Sequence, residues 1–250
     1  GRTWSEPLAN GHIAERGGEY FDSSMSDVHE LARELGLHMT TQGFNPTVRQ
    51  TADPNGPSLE DLETAAKVFA GYWESLGEIA HDVSIADILK AAPLERELAT
   101  VIGARLSSGR AANVSRVSAR WSEGGFQTPL VSHEHNTRIA EGNQSLSQRM
   151  AYELGHERLK LRWPVAAIDQ DQRGCVITSM LGETIRADII VIAVPVSILK
   201  RLRVGGLDAR TRLAIAKVGF GQATKLHLTV DGDCAPGIKQ EVSTPFSTWA

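Results

Sequence analysis

The chain is poor in cysteine, in long apolar runs and in clustered charge, and each shortage excludes a class of protein. Its 250 residues include two cysteines, Cys175 and Cys234, which provide neither a disulfide framework nor a zinc-binding spacing. The longest apolar run, 188–199, contains a proline and is too short for a transmembrane helix. The net charge is −4 and the arginines are dispersed, so no patch for nucleic acid or an anionic membrane is predicted.

What remains is the composition of an ordinary soluble globular protein. Hydrophobic residues make up 41% of the chain and charged residues 22%. A chain of this length can form one large domain or two smaller domains, each with its own core. Composition therefore excludes few folds, and the local sequence patterns have to indicate which fold the chain adopts.

Capping signals predict a helical block over 58–122. Ser58 with Asp61, and Ser84 with Asp87, have the spacing of N-cap and N3 residues in two capping boxes. Apolar residues recur at helical spacing after both pairs, and no segment of the block alternates as a strand does.

The second half of the chain has the pattern of an α/β layer with a β-meander, within a mixed α/β and α+β fold. An amphipathic helix is predicted at 144–154. Strands are predicted at 159–163, 165–168, 175–178, 184–186, 188–199 and 224–230. The stretch 43–57, rich in Gly, Pro, Asn and Thr, is predicted to be a loop.

The start of the chain contains the first candidate for a cofactor site. The tripeptide Gly1-Arg2-Thr3 is followed by Gly17-Gly18-Glu19-Tyr20. Paired glycines let a ligand approach the backbone closely, and a planar guanidinium binds phosphate oxygens through two hydrogen bonds. Taken alone, however, a Gly-Gly pair more often marks only a turn.

Together with later segments, this start resembles the flavin-containing amine oxidase family, which includes monoamine, polyamine and L-amino-acid oxidases. The matching segments are Gly1-Arg2-Thr3 with Gly17-Gly18-Glu19-Tyr20, then 138–146, 164–168, 187–195 and 219–225. Each segment is a weak signal, and their order and spacing make the resemblance specific.

The resemblance implies FAD as the cofactor and assigns residues to it. Arg2, within Gly1-Arg2-Thr3, is similar to the arginine at the FAD pyrophosphate, and Gly17, Gly18, Glu19 and Tyr20 are similar to the segment beside the flavin and ribityl chain. Val165, whose side chain is expected in the core, resembles the residue whose backbone holds the adenine edge. Val194 and Pro195 are expected to end the strand that returns to the cofactor.

One catalytic residue follows from the resemblance. Lys225 is similar to the lysine that holds a water molecule near flavin N5. On spacing alone, Lys225, His227 and Thr229 form the polar face of a strand, which favours a solvated lysine. No metal site is predicted, because the pair His133 and His135 has no third ligand nearby. Substrate-binding residues stay unassigned.

The resemblance also implies how the chain is divided. An FAD-binding α/β layer is interrupted by a helical substrate-binding block, and both ends of the family fold are expected to be missing. The predicted parts are 1–42 and 131–204 for FAD binding, 43–130 for the mostly helical substrate-binding part, and 205–250 for strands of the substrate domain.

The implied reaction is oxidation of an amine, which is a primary amine, a polyamine or an L-amino acid. A hydride passes to flavin, the imine hydrolyses to an aldehyde or keto acid, and oxygen is reduced to hydrogen peroxide. The expected partners are therefore a small amine and oxygen. The 250-residue piece alone is expected to be inactive and to bind FAD weakly, because the phosphate-binding glycine turn is not in it.

Two alternatives stay open at this point. One is an FAD-dependent desaturase or porphyrinogen-type oxidase that acts on C–C bonds, and the other is a non-catalytic interaction module. The sequence also leaves open whether the protein forms a homodimer. The compartment is not determined, with the cytoplasm favoured, and neither nucleic acid nor a membrane span is expected.

Overall fold

A computed structural model describes residues 2–41, 48–79, 81–120, 136–228, 238–242 and 247–249, with Gly232 and Thr244. Gly1, Cys234 and the pair His133 and His135 lie outside the described residues. The chain divides into two compact units, Gly1–Met150 with Gln222–Ala250, and Ala151–Gly221. The four-part division implied by the resemblance stays a prediction.

The described elements mix helices with short strands, which confirms the predicted α/β class. The helices are α1 (Ser26–Glu34), α2 (Leu59–Ser75), α3 (Ile85–Ala91), α4 (Arg96–Arg110), α5 (Gln144–Leu154), α6 (Val196–Leu199) and α7 (Ala209–Lys217). The strands are β1 (Ser5–Pro7), β2 (Ile13–Glu15), β3 (Met39–Thr41), β4 (Arg49–Thr51), β5 (Thr137–Ile139), β6 (Val165–Asp171), β7 (Gly174–Ser179), β8 (Thr184–Ala187), β9 (Arg203–Val204), β10 (Ile238–Gln240) and β11 (Ser247–Trp249). Within the described residues, no helix is both long and apolar enough to cross a bilayer.

Both predicted capping boxes are confirmed. The Ser58 hydroxyl accepts a hydrogen bond from the Asp61 N–H, and the Asp61 carboxylate accepts one from the Ser58 N–H, at 3.2 and 3.0 Å. Ser84 and Asp87 make the same reciprocal pair at 3.1 and 3.0 Å. Each pair satisfies two N–H groups that the first helical turn leaves without a partner, so α2 and α3 begin where the sequence predicts.

The helical block packs around one apolar core, and its described residues contain no strand. Phe69 and Trp73, one turn apart on α2, meet edge to face with ring centroids 6.0 Å apart. They pack with Ile85 of α3 and with Ile102 and Leu106 of α4, all of which are buried. Burial of these side chains holds the three helices together.

Three small sheets complete the first unit. β1 and β2 form an antiparallel hairpin, and β3 pairs antiparallel with β5. In the third sheet β10 lies in the middle, antiparallel to β11 and parallel to β4. The prediction of an unbroken loop over 43–57 is wrong at β4, because a three-residue strand is fixed by a distant partner and not by its own alternation.

The second unit is built on the predicted β-meander. β6, β7 and β8 follow one another as antiparallel neighbours, and β9 adds to β6 in the parallel sense. Ile168, Cys175 and Ile177 form its buried core. The sheet order is therefore β8-β7-β6-β9, with the meander at one side and the short strand at the other.

Two strands predicted beside the meander are wrong. Residues 159–163 follow a 3-10 turn at His156–Arg158, and Arg162 has a positive φ of 55°, which no strand residue adopts. Residues 188–195 form no strand, and 196–199 are helix α6. In that run Ile190 and Ile192 pack against the core while Ile189 and Val191 are exposed, because an apolar run becomes a strand only where a neighbouring strand pairs with it.

Candidate functional site

The paired glycines lie against the first residues of the chain. The Gly18 N–H donates to the Arg2 carbonyl at 2.8 Å, and the Arg16 N–H donates to the Trp4 carbonyl at 2.7 Å. A Cβ on Gly17 would lie 2.2 Å from the Arg2 carbonyl oxygen, so only glycine fits there. Gly18 differs, because it is exposed and its Cβ would approach no atom closer than 3.8 Å.

A buried carboxylate lies beneath this segment. Glu15, which is 2% exposed, accepts hydrogen bonds from the Ser5 hydroxyl at 2.8 Å and from the Asn143 N–H at 2.7 Å. A buried carboxylate is tolerated only when its oxygens receive such donors. Glu15 therefore links the β1–β2 hairpin to the residue that precedes α5.

Asn143 fixes the backbone that follows the glycines. Its Nδ2 donates to the carbonyls of Gly18 and Glu19, at 3.0 and 2.8 Å, and its Oδ1 accepts from the Ile139 N–H at 2.9 Å. Sequence reasoning assigned no role to Asn143 or Glu15. The available signal was the dipeptide Gly142-Asn143 directly before a helix, where a polar side chain commonly satisfies backbone groups.

Lys225 lies at the same place, although it is distant in sequence. Its Nζ donates to the Gly17 carbonyl at 2.8 Å and to the Glu19 carboxylate at 2.9 Å, with the Glu15 carbonyl at 3.4 Å. The side chains of Lys225 and Glu19 are 27% and 12% exposed. The late lysine is therefore in direct contact with Gly17, the first of the paired glycines, with which it was predicted to share a site.

The expectation of an alternating strand around Lys225 is wrong. Residues 224–228 form no strand, and Leu226 and Leu228 are 81% and 74% exposed. The lysine points inward and the leucines point outward, which is the reverse of the face assignment that hydrophobic alternation predicts. The contacts with Glu19 and Gly17 decide the orientation of Lys225.

Tyr20 continues the segment into a half-buried environment. Burial raises the pKa of its phenol well above the ordinary value, and the charge of Glu19 and a hydrogen bond with it raise the pKa further. Each cause disfavours the phenolate. Tyr20 is therefore a neutral side chain at physiological pH, next to the ion pair between Glu19 and Lys225.

The remaining predicted cofactor residues lie in the second unit. Val165 begins β6, and its side chain is exposed, so the expectation of a core side chain is wrong. A residue at the first position of a strand need not have a neighbour on both faces. Val194 is also exposed, and Pro195 precedes α6 as its N-cap residue instead of ending a strand.

Comparison with known proteins gives one family. A sequence model of the family described as flavin containing amine oxidoreductase matches residues 92–248. A curated relative from Dictyostelium discoideum, named probable flavin-containing monoamine oxidase A, is 34% identical over 65 residues, which is 26% of this chain and 14% of that protein. The family description confirms the flavin cofactor predicted from the resemblance.

Solved structures share the fold. Cyclohexylamine oxidase from Brevibacterium oxydans superimposes with a TM-score of 0.72 at 23% identity, over 86% of this chain and 55% of that one. Putrescine oxidase bound to putrescine gives a TM-score of 0.70 at 19% identity, over 88% of this chain and 56% of that one. The chain thus spans about half the length of these structures, and its 65-residue match covers 14% of the curated relative.

Proposed function

The chain belongs to the flavin-containing amine oxidoreductase family, and from that membership we propose that it is part of an enzyme that uses FAD to oxidise an amine. One observation supports this most directly. The ammonium group of Lys225 contacts the carbonyl of Gly17 and the carboxylate of Glu19, two residues about 200 positions earlier in the chain. Three residues assigned to the flavin by resemblance alone are therefore neighbours in space.

The residues at this place have the chemistry that FAD requires. The Arg2 side chain is exposed and supplies a positive charge for phosphate, and the exposed Gly18 leaves room for a flat ring where a side chain would stand. The Asn143 carboxamide keeps the Gly18 and Glu19 peptides in one orientation. We assign Arg2, Thr3 and the segment from Gly17 to Tyr20 to FAD binding on these grounds.

Val165, Val194 and Pro195 are proposed to bind the cofactor from the second unit. Their assignment depends on the family resemblance of 164–168 and 187–195. Both Val165 and Val194 are exposed, and the contacts proposed for them would be made by backbone groups and not by side chains. Replacement of either residue by another aliphatic residue should therefore leave flavin binding unchanged.

Bound flavin supplies the redox chemistry, since it accepts the hydride that leaves the carbon next to the amine nitrogen. The protein residues position the reactants. Lys225, fixed by Gly17 and Glu19, would hold a water molecule beside the bound flavin, and neutral Tyr20 would add no negative charge there. The imine product would be hydrolysed by water to an aldehyde or keto acid, with release of ammonia or a smaller amine. Oxygen would take the two electrons from the reduced flavin, with two protons, and leave as hydrogen peroxide.

Lys225→Met in the complete protein tests the proposed role. Methionine keeps most of the volume of the side chain and removes the ammonium group, so we expect bound flavin with turnover or flavin reoxidation slower by about 100-fold. Stopped-flow absorbance of the flavin measures the two half-reactions separately. The control is Lys67→Met, which replaces an exposed lysine on α2 and should leave both rates unchanged.

Two results would contradict the proposal at different levels. Unchanged kinetics in Lys225→Met would remove Lys225 from the mechanism. A colourless complete protein would contradict amine oxidation and favour a non-catalytic interaction module. A complete protein that contains flavin but gives no peroxide with any amine would also contradict amine oxidation, and would favour an oxidase that acts on C–C bonds.

A further inference from the structure

Helix α4 ends in a backbone conformation that alanine rarely adopts. Ala111, the residue that follows the helix, has a φ of 51° and a ψ of 29°, which is the left-handed region. Among the described residues other than glycine, only Arg162 also has a positive φ. Glycine is the usual residue at such a helix end, because a Cβ lies too close to a backbone carbonyl oxygen when φ is positive. The conformation of Ala111 therefore needs support from the contacts around it.

Contacts on both sides of Ala111 hold this conformation in place. The Ala111 N–H donates to the Ser108 carbonyl at 3.1 Å. The Ala112 N–H donates to the Ser107 carbonyl, also at 3.1 Å, which completes the pattern of a Schellman motif. The Val114 N–H donates to the Ser107 hydroxyl at 3.2 Å, and the Val114 side chain is buried in the core of the helical block. The helix end and the turn after it thus fix the direction of the Ala111 carbonyl.

The Ala111 carbonyl contacts the segment that carries Lys225. It accepts a hydrogen bond at 2.7 Å from the N–H of Gln222, which lies about 110 positions later in the chain. Lys225 follows three residues after that, and its ammonium group contacts the Gly17 carbonyl and the Glu19 carboxylate. All these residues belong to the first unit. The segment is therefore attached at two points, to the end of α4 and to the glycine segment.

The rest of this segment has little cover. Residues 222–228 form neither a helix nor a strand, and all of them except Lys225 are exposed. A segment with few buried groups opens locally at little cost in free energy. Such a segment has many conformations, and few of them place the lysine ammonium on Glu19. A hydrogen bond that fixes the start of the segment reduces their number and so favours that placement.

We propose that Ala111 is a positioning residue for Lys225. Its left-handed conformation directs its carbonyl at the Gln222 N–H, and this hydrogen bond places the segment so that the Lys225 ammonium meets Glu19. The inference rests on the proposed function, which gives Lys225 its role beside the flavin. The methyl group of Ala111 has no part in it, because the contact is made by the backbone. What residue 111 has to provide is a positive φ.

Removal of the Gln222 N–H tests this attachment without flavin. Proline has no N–H, so Gln222→Pro removes the donor, whereas Gln222→Ala keeps the donor and changes only an exposed side chain. In each background, urea denaturation of the 250-residue chain with a double-mutant cycle of Glu19→Gln and Lys225→Met measures the coupling free energy of the ion pair. We expect the coupling to fall by half or more in Gln222→Pro and to stay unchanged in Gln222→Ala. Unchanged coupling in Gln222→Pro, or an equal fall in both, would overturn the proposal.

Substitutions at residue 111 test the backbone conformation itself. Glycine and asparagine both adopt a positive φ, so Ala111→Gly and Ala111→Asn should keep the coupling. Valine is β-branched and strongly disfavours a positive φ, so Ala111→Val should reduce the coupling. The asparagine side chain has more heavy atoms than that of valine, so simple crowding would give the opposite order, and that order would overturn the proposal. If Ala111→Val does not fold, the two Gln222 variants still decide the outcome.

Kinetics of the complete protein separate positioning of the lysine from general damage to the fold. Gln222→Pro should slow the step that Lys225→Met slows by about tenfold, but by less than about twofold when Lys225→Met is already present, because the positioned group is then gone. Equal slowing in both backgrounds would overturn the positioning role and leave the proposed function standing. A colourless complete protein, with the coupling results as expected, would instead overturn the proposed function and leave the attachment of the segment to α4 standing.

Discussion

Asn143 shows how single buried side chains define the candidate site. It is almost fully buried, and its carboxamide makes hydrogen bonds to Gly18, Glu19 and Ile139. The shape of the glycine segment therefore depends on a residue about 125 positions later. Local sequence patterns carry no information about such a distant partner. The glycine segment could therefore be predicted from the sequence, whereas the side chain that holds it in place could not.

Asn143→Ala should destabilise the chain by about 3 kcal/mol, because it leaves the part-buried carbonyls of Gly18 and Glu19 and the buried Ile139 N–H without partners. Urea denaturation of the variant measures the loss in the free energy of unfolding. Asn10→Ala is the matched control, since the Asn10 Oδ1 accepts a single exposed hydrogen bond from His12. A change within about 0.5 kcal/mol is expected there, and an equal loss in both variants would contradict the role of Asn143.

At the scale of elements, helix starts were predictable because their signals are local. Ser58 with Asp61 and Ser84 with Asp87 are three residues apart, and the hydrogen bonds they make involve no other element. The strands differ. Alternation at 224–230 predicted a strand that the described residues 224–228 do not form, and the apolar run at 188–199 wrongly predicted another. In contrast, β4 exists because β10 pairs with it. Strand pairing is a long-range property that a local pattern does not contain.

The capping boxes should make the stability of α2 and α3 depend on pH in the acidic range. Hydrogen bonds from Ser58 and Ser84 hold the pKa values of Asp61 and Asp87 below their ordinary 3.8. A lowered pKa in the folded state means that the carboxylates contribute stability above pH 3.8, and that this contribution is lost as the pH falls below it. Far-ultraviolet circular dichroism during urea unfolding at pH 6 and at pH 3 measures the loss.

Ser58→Ala with Ser84→Ala separates this effect from general acid denaturation. The double variant should lose a few degrees of melting temperature at pH 6 and show a smaller further loss than the wild type on going to pH 3. If the stability of the two proteins depended on pH in the same way, the capping boxes would not be the cause of that dependence. Ser115→Ala, at a residue outside both boxes, is the control for loss of an exposed hydroxyl.

For the whole molecule, the candidate site joins the beginning of the chain to a segment near its end. Arg2, the glycine pair, Asn143 and Lys225 all belong to the first unit. In the sequence, only the family resemblance links Arg2, the glycine pair and Lys225, and nothing there adds Asn143 to them. Gly17 packs against the backbone of Arg2, and Lys225, which comes about 200 positions later in the sequence, donates a hydrogen bond to the Gly17 carbonyl. No periodicity or composition contains that convergence, which the fold alone creates.

The ion pair between Glu19 and Lys225 should couple these distant segments measurably. A double-mutant cycle with Glu19→Gln and Lys225→Met isolates the pair, and we expect a coupling free energy of about 1–2 kcal/mol because both side chains are largely buried. The control cycle uses Asp169 and Arg203, which make a two-pronged contact at 2.8 Å but are mostly exposed. Its coupling should stay below about 1 kcal/mol.

Salt distinguishes the two pairs further. Solvent ions screen an exposed pair more strongly than a part-buried one, so raising the ionic strength should reduce the coupling between Asp169 and Arg203 and largely preserve that between Glu19 and Lys225. Equal loss in both cycles would mean that water reaches Lys225 freely. The ammonium would then be too mobile to hold one water molecule in place, and the geometric support for its role beside the flavin would be gone.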